Sequence, residues 1–423
     1  MRVIADLHIH SHYSRATSKM MNIEELSKWA RVKGVNLLGT GDFTHPEWLR
    51  EMKSKLTEKE SGSGIYRYNN MDFMLTAEVS LIYSQGGKGR RVHHVLLAPS
   101  FEVVDQINEW LGSKGRLDYD GRPIFGFSSI ELVEKLMEIS RDIEVIPAHI
   151  WTPWFSIFGS KSGFDSVEEC FGDKARHIHA LETGLSSDPA MNWRVSSLDR
   201  YSLVSFSDSH SAWPWRLGRE ASVLELGKLS YGSVLDAIRT GEGLAETIEV
   251  DPNYGKYHLD GHRACRVCME PKESVKVGKI CPVCKRQLTI GVLHRIEELA
   301  DRPEGFWPEG AKPFRSIIPL SEVIASVQGT SLVASKKVWS EHSRLMEAFG
   351  SEYKVLLEAG QAEMARVVDP RIAEAVVKVR KGLIKIQPGF DGEYGIPLFR
   401  GERVKTGSLG EPEPGKQTSL NQF

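Results

Sequence analysis

Residues 1–14, MRVIADLHIHSHYS, followed by residues 35–46, VNLLGTGDFTHP, are the stretch on which the reading of the fold turns. Val3 to Ile9 is a short apolar run suited to a strand. Asn22 is placed to cap a helix that buries Ile23, Leu26 and Trp29 and stops at Gly34, and VNLLGT then starts a second strand. One strand, one amphipathic helix and another strand make a β/α unit, and the pattern recurs. Apolar runs precede Glu78 (DFMLTA), His149 (IEVIPA), Glu182 (IHAL) and Asp208 (YSLVSFS), and LSYGSVLDAIRTGEG near residue 240 reads as a closing helix with a glycine stop. Each run ends in a polar, ligand-type residue. Where parallel strands close into a barrel, their carboxyl ends share one face, so residues far apart in sequence can meet there.

Composition narrows the function classes. A chain of 423 residues exceeds the size of a single hydrophobic core, so several domains are expected. With 41% apolar and 26% charged residues it is neither disordered nor collagenous. Its net charge of −2 excludes a chain-wide polycation, so any nucleic-acid contact must use a local basic surface. The N-terminus lacks a signal-peptide pattern and no run is long enough to span a bilayer, so no membrane role and a cytoplasmic location are expected. Five cysteines, four of them in two tight pairs, fit metal binding in a reducing compartment better than disulfides. Cys170, left over, reads as a buried and inert hydrophobe.

The chemistry begins at His8-Ile9-His10. Alternate residues of an extended strand face the same side, so two imidazoles at i and i+2 can ligate one ion. Asp208-Ser209-His210 supplies a similar pair at another strand end, and Asp42, Glu78, His93 or His94, His149 and Glu182 occupy comparable positions. Taken singly, Asp42 and Asp208 could cap following helices, Glu182 could pair with a surface arginine, and the strand histidines could face solvent. As a set, so many imidazoles and carboxylates at converging strand ends call for two or three cations. Imidazole ligands suit Zn²⁺ or Mn²⁺, and the carboxylates admit Mg²⁺.

DLHIHSHYS, GTGDFTHP, the Glu of TAEVS, PAHIW and SDSH, in that order, resemble the polymerase and histidinol phosphatase (PHP) superfamily of metal-dependent phosphoesterases over the first ~240 residues. The resemblance implies an α/β fold, a distorted (β/α)7 barrel. It also implies a catalytic set of His8, His10, Glu78, His149, Asp208 and Glu182, in which His8, His10, Glu78 and Asp208 share one ion. Glu78 would bridge to a second ion held by His149 and His93, with His94 the alternative to His93. The third-ion ligands depart from the family pattern. Phe43 stands where the family has a histidine and Arg15 lies near another ligand position, leaving Asp42, His45 and His210 to compensate. A small-molecule phosphatase on the same barrel, as in histidinol phosphate hydrolysis, is the rival reading and needs only this domain.

Cys265-x2-Cys268 and Cys281-x2-Cys284, twelve residues apart, have the spacing of two knuckles closing a structural four-thiolate Zn²⁺ site. Around them the basic residues, among them Arg263, Arg266, Lys285 and Arg286, could neutralise successive backbone phosphates or form a solvated face. Beyond, Ser321–Val338, Glu341–Phe349, Ser351–Val368 and Pro370–Lys381 carry helical periodicity, and GLIKIQPGFDGEYG reads as a strand and turn. The expected division is 1–248 for the barrel, 249–295 for the four-cysteine zinc-binding module, 296–405 for a mainly helical DNA-binding domain and 406–423 for a mobile tail.

With the knuckles and VVDPRIAEAVVKVRKGLIKIQPGFDGEYG placed after a PHP barrel, the whole chain resembles the archaeal endonuclease Q family. That resemblance implies an endonuclease cutting 5′ to deaminated bases (hypoxanthine, uracil, xanthine) and abasic sites in DNA. Inspecting a base edge requires taking the base out of the stack, and Trp151, Trp154, Phe155 and Phe158 could line a pocket, wedge the duplex or simply pack in the core. The tail QTSLNQF resembles the motif that binds the sliding clamp PCNA, with Gln417 hydrogen-bonding and Leu420 and Phe423 sharing one side of a 3₁₀ turn.

Overall fold

The computed structural model describes residues 1–399 and 404–408. Strands Arg2–Asp6, Leu37–Gly39, Met71–Gln85, Lys88–Ala98 and Glu144–Pro147 are successive neighbours in one sheet. Ala180–Glu182 and Ser202–Val204 form a parallel pair beside them. These seven strands ring a common interior. Ala5, Leu37, Met74, Val95, Ile146, Ala180 and Val204, one from each strand, belong to a single buried cluster. The helix Tyr231–Thr240 adds Val234, Leu235 and Ile238 to that interior, capped by the Ser230 side chain and ended by Gly241 in the left-handed region. This is the distorted seven-stranded α/β barrel.

The distortion has a definite source. Strand Lys88–Ala98 runs antiparallel to both its neighbours, because a two-residue loop returns the chain at once. Gly86 and Gly87 have φ of +61° and +72°, the type I′ geometry that favours glycine and matches the twist of a hairpin. A reversed strand begins at the rim on which the others end, so its early residues, not its late ones, reach the site.

The first helix spans Ile23–Lys33; the Asn22 side chain accepts from Glu25 N, and Gly34 (φ +99°) closes it. After the last barrel helix, Leu244–Val250 pairs antiparallel with Ala221–Glu225, and Phe314–Ile317 joins it in parallel, so the sheet runs on into the C-terminal half. There the helices are Leu320–Gln328, Lys336–Phe349, Glu352–Leu357, Gln361–Met364 and Pro370–Arg380. The periodicity that ran through to Val338 is broken by Gly329, in the left-handed region, and by Ser335, which caps the next helix. These helices share a buried core with the outer barrel, and Lys33 is buried in an ion pair with Glu352 (2.8 Å). Among the described residues no helix is long and apolar enough to cross a membrane. The segment with Gln417, Leu420 and Phe423 lies outside the described residues.

Candidate active site

Ladder pairing of the first strand ends at Asp6, but the chain stays extended and Ile9 bridges to Ser209, which brings His8 and His10 beside Asp208. Asp6 fixes this junction: buried, it accepts from Ser207 N (2.9 Å), Ser207 Oγ (2.6 Å) and Gly218 N (2.9 Å). Burial pushes its carboxyl up to about 6 against those hydrogen bonds. Three residues here hold left-handed backbone that non-glycine side chains disfavour, namely Asp42 (φ +48°), His149 (+31°) and Asp208 (+46°). Gly184 (φ +65°) permits part of this, since a Cβ there would lie 2.5 Å from His149 Cβ.

His8, His10, Glu78 and Asp208 form one group of converging donor atoms, and Glu78, His93 and His149 form another, with Glu78 in both. Glu78 Oε2 lies 3.5 Å from His8 Nε2 and 3.1 Å from His10 Nε2, and Oε1 lies 2.7 Å from His93 Nδ1 and 3.3 Å from His149 Nε2. The far nitrogens are already engaged. His8 Nδ1 donates to Glu182 (2.9 Å), His10 Nδ1 to Asp42 (3.0 Å) and His149 Nδ1 to Thr152 Oγ1 (3.2 Å). Such partners fix the tautomer and aim the other nitrogen at a metal.

The donor set fits divalent cations on an observation of its own. His8 Nε2, His10 Nε2 and Asp208 Oδ1 are buried, point into the same space and have no hydrogen-bond partner. Buried polar atoms are rarely left so unless something else binds them. The carboxylates also make the site negative: although burial opposes charge, Glu182, Glu78 and Asp208 hold the His8 imidazole well above its usual range, and a bound cation would satisfy the same field in place of that proton. Against the same burial, His93, Arg122 and His8 hold Glu78 well below its own. At His93 burial outweighs the pull of Glu78 and lowers the imidazole to about 4, the neutral form a metal requires.

Several expected ligands stand elsewhere. His94, next to His93 on a strand, faces the other way; its Nε2 bonds Ser129 Oγ (2.8 Å), and burial lowers it to about 3. Asp42 spends its oxygens on Ser11 N, Ser11 Oγ, Ser14 Oγ and His10, so it orients a ligand instead of being one. Glu182 likewise sits behind His8 and accepts from His149 N (2.7 Å). His45 stacks on Tyr13 at 4.3 Å, and Phe43 is buried core. His210 lies 4.5 Å ring to ring from His10 and donates to Asp208 O, outside both groups. The aromatic residues divide: Trp151 and Phe158 are buried against each other, whereas Phe155 (φ +60°) packs on His93 at 4.6 Å and Trp154 faces Tyr257.

The second cluster also needs correction. Cys265, Cys281 and Cys284 converge with His262, and Cys268 is not among them. The backbone explains why. In each knuckle two ligands flank two residues, and the residue after the second ligand turns left-handed: Arg266 (φ +50°) follows His262-x2-Cys265, and Lys285 (φ +62°) follows Cys281-x2-Cys284. Cys268 lies beyond the first turn, in strand Val267–Met269, where it pairs with Gly261 while Val267 pairs with His262. Alternation therefore puts Cys268 on the opposite face, packed with Leu259 and Phe390. Three thiolates and one imidazole are a complete tetrahedral zinc set. Arg263, Lys285 and Arg286 are exposed beside it and Arg266 is half-buried; Lys285 and Arg286 form no ion pair among the described residues.

Asp6, Arg122 and His262 escaped the sequence reading. His262 carried a signal, H-x2-C spacing in phase with C-x2-C; Asp6 and Arg122 carried none.

The family model for the MJ0043 C-terminal domain matches residues 319–383. The crystal structure of the lesion-specific endonuclease PfuEndoQ from Pyrococcus furiosus is 32% identical, with a TM-score of 0.84 over 100% of this chain and 99% of that one. Endonuclease Q bound to a 27-mer duplex substrate with an abasic lesion at its active site is 33% identical, with a TM-score of 0.85 over 96% of this chain and 99% of that one. Protein YqxK of Bacillus subtilis, described as uncharacterized, is 29% identical across 93% of this chain and 98% of its own length.

Proposed function

This chain belongs to the endonuclease Q family, and from that premise we propose that it is a metal-dependent DNA-repair endonuclease. Its substrates are duplexes with deaminated bases (hypoxanthine, uracil, xanthine) or abasic sites, cut at the phosphodiester 5′ to the lesion to leave a 3′-hydroxyl and a 5′-phosphate. The observation that carries the reading is the convergence of partnerless His8 Nε2, His10 Nε2 and Asp208 Oδ1 around Glu78. Divalent ions held there would lower the pKa of bound water toward ~7 and neutralise charge on the phosphoryl group.

The chain's own residues do the rest. Glu182 and Asp42 keep His8 and His10 in the tautomer that presents Nε2 inward. Glu78 lies between the two ligand groups and sets their spacing. Phe155 and Trp154, at the rim beside His93 and Tyr257, are placed to stack on an extruded base. His262, Cys265, Cys281 and Cys284 would hold a structural Zn²⁺ that fixes Arg263, Arg266, Lys285 and Arg286 for backbone phosphates. The tail motif, by its sequence, would dock the enzyme on the PCNA clamp, and the enzyme would work in the cytoplasm.

The test is a panel of otherwise identical duplexes carrying one deoxyinosine, deoxyuridine, deoxyxanthosine or abasic site. Single cuts 5′ to the lesion that EDTA abolishes are the expected result. Hydrolysis of a phosphate monoester with every duplex left intact would replace this reading with the small-molecule phosphatase.

A further inference from the structure

One arginine enters the metal cluster. Arg122 Nη1 lies 2.9 Å from Glu78 Oε2, and among the described residues no other Lys or Arg pairs with Glu78, Asp208 or Glu182. The side chain is about three-quarters buried, and its remaining surface opens to solvent.

Its backbone is held by the site itself. Gly121 N donates to Tyr13 O (3.1 Å), and Thr44 Oγ1 donates to Gly121 O (3.0 Å). Asp120 Oδ1 accepts from Arg122 N (3.2 Å) and Arg15 N (3.3 Å), and Pro123 O accepts from Ser80 N (3.0 Å). A loop pinned on both sides presents a guanidinium with little freedom to wander, which is how a charge-stabilising group is preorganised.

Glu78 Oε2 is also the oxygen nearest His8 Nε2 and His10 Nε2, so the guanidinium and a cation compete for one atom. In the metal-free chain the pairing keeps a buried carboxylate from standing unpaired, which would be costly. Dications bound to Glu78 and Asp208 would compete with the guanidinium for the same carboxylate and weaken the hold of Glu78 on Arg122. A planar fork beside such a cluster is suited to phosphate oxygens.

We propose that Arg122 is the phosphate-contacting arginine of this site: it neutralises Glu78 before metal binding and, once displaced, donates to a non-bridging oxygen of the scissile phosphodiester. The proposal rests on the endonuclease reading only for the identity of the ester. No bond to Arg122 forms or breaks; water adds to phosphorus, the P–O3′ bond breaks, and the leaving oxygen takes up a proton to become the 3′-hydroxyl.

The experiment compares Arg122→Ala and Arg122→Lys with the parent in three titrations. Metal-stripped protein is titrated with Mn²⁺, Mn²⁺-loaded protein with inorganic phosphate, and cleavage is followed on an abasic-site duplex. For Arg122→Ala we expect Mn²⁺ binding as tight as the parent or up to about tenfold tighter, weaker phosphate binding, and kcat reduced by about 10²–10³-fold; Arg122→Lys restores part of each loss. Mn²⁺ affinity falling together with kcat would overturn the proposal and make Arg122 a strut for Glu78, and unchanged phosphate affinity would overturn it equally. If the parent leaves the abasic duplex intact, the endonuclease reading fails, while the Mn²⁺ and phosphate titrations still decide the role of Arg122.

Discussion

The two ligand clusters of this chain are built on opposite principles. The barrel cluster gathers His8, His10, Glu78, His93, His149 and Asp208 from points 200 residues apart, keeps them in place with Glu182, Asp42 and Asp6, and strains its backbone to do so. The knuckle cluster closes within His262 to Cys284, needs only two local turns, and completes a four-ligand set. One protein thus carries a candidate open site, where metal binding would serve chemistry, and a candidate closed one, where it would serve folding.

The sharpest way to break the comparison is to remove one ligand from each cluster. His10→Ala should lower lesion cleavage by about 10³-fold or more, an effect of several kcal/mol, with knuckle zinc intact. If cleavage survives, the barrel cluster is not the active site. His262→Ala should weaken zinc retention by roughly 10²-fold, measured by chelator competition, while Cys268→Ser retains zinc. The reverse pattern would restore the four-thiolate set. Glu182→Gln keeps the shape behind His8 but loses the carboxylate charge, so a loss of about 10–100-fold in barrel-metal affinity is expected from the same competition. His94→Ala should leave that affinity unchanged, since its ring points to Ser129.

A further effect, on folding stability and not on the clusters, concerns pH. Burial pushes Glu249 up to about 8, with Asp188 adding to it, and Glu220 beside it is raised as well. The unfolded chain loses the Glu249 proton near its ordinary value of 4.5. Between those values the folded state therefore holds more protons, and the stability present below 4.5 is lost as pH rises toward 8. Glu249→Gln should remove that loss, a gain on the order of a few kcal/mol at about pH 8 relative to about pH 5, read from denaturant unfolding. A parallel pH dependence in both proteins would contradict it.

How legible each cluster was follows from how it is built. The strand and helix alternation, the Asn22 cap and the Gly34 stop follow from local chemistry, and the structure has all three. The choice between His93 and His94 depends on which face of a strand looks inward, which periodicity alone leaves open until the reversed strand is known. Asp42 looked like a ligand because the hydroxyls of Ser11 and Ser14 that occupy it are invisible to spacing. Cys268 looked like one because cysteines pair readily by eye, whereas the turn at Arg266 ends the knuckle two residues earlier. Arg122 reaches Glu78 through tertiary packing of a loop, which no motif records.

The most direct test of the whole account is a titration of metal-stripped protein with Mn²⁺, followed by electron paramagnetic resonance and by cleavage of an abasic-site duplex. Two barrel-bound ions per chain, spin-coupled through Glu78, with strand cutting that rises only as the pair fills, is the predicted result. Cutting by protein with an empty barrel, or two uncoupled ions indifferent to Glu78→Gln, would contradict it.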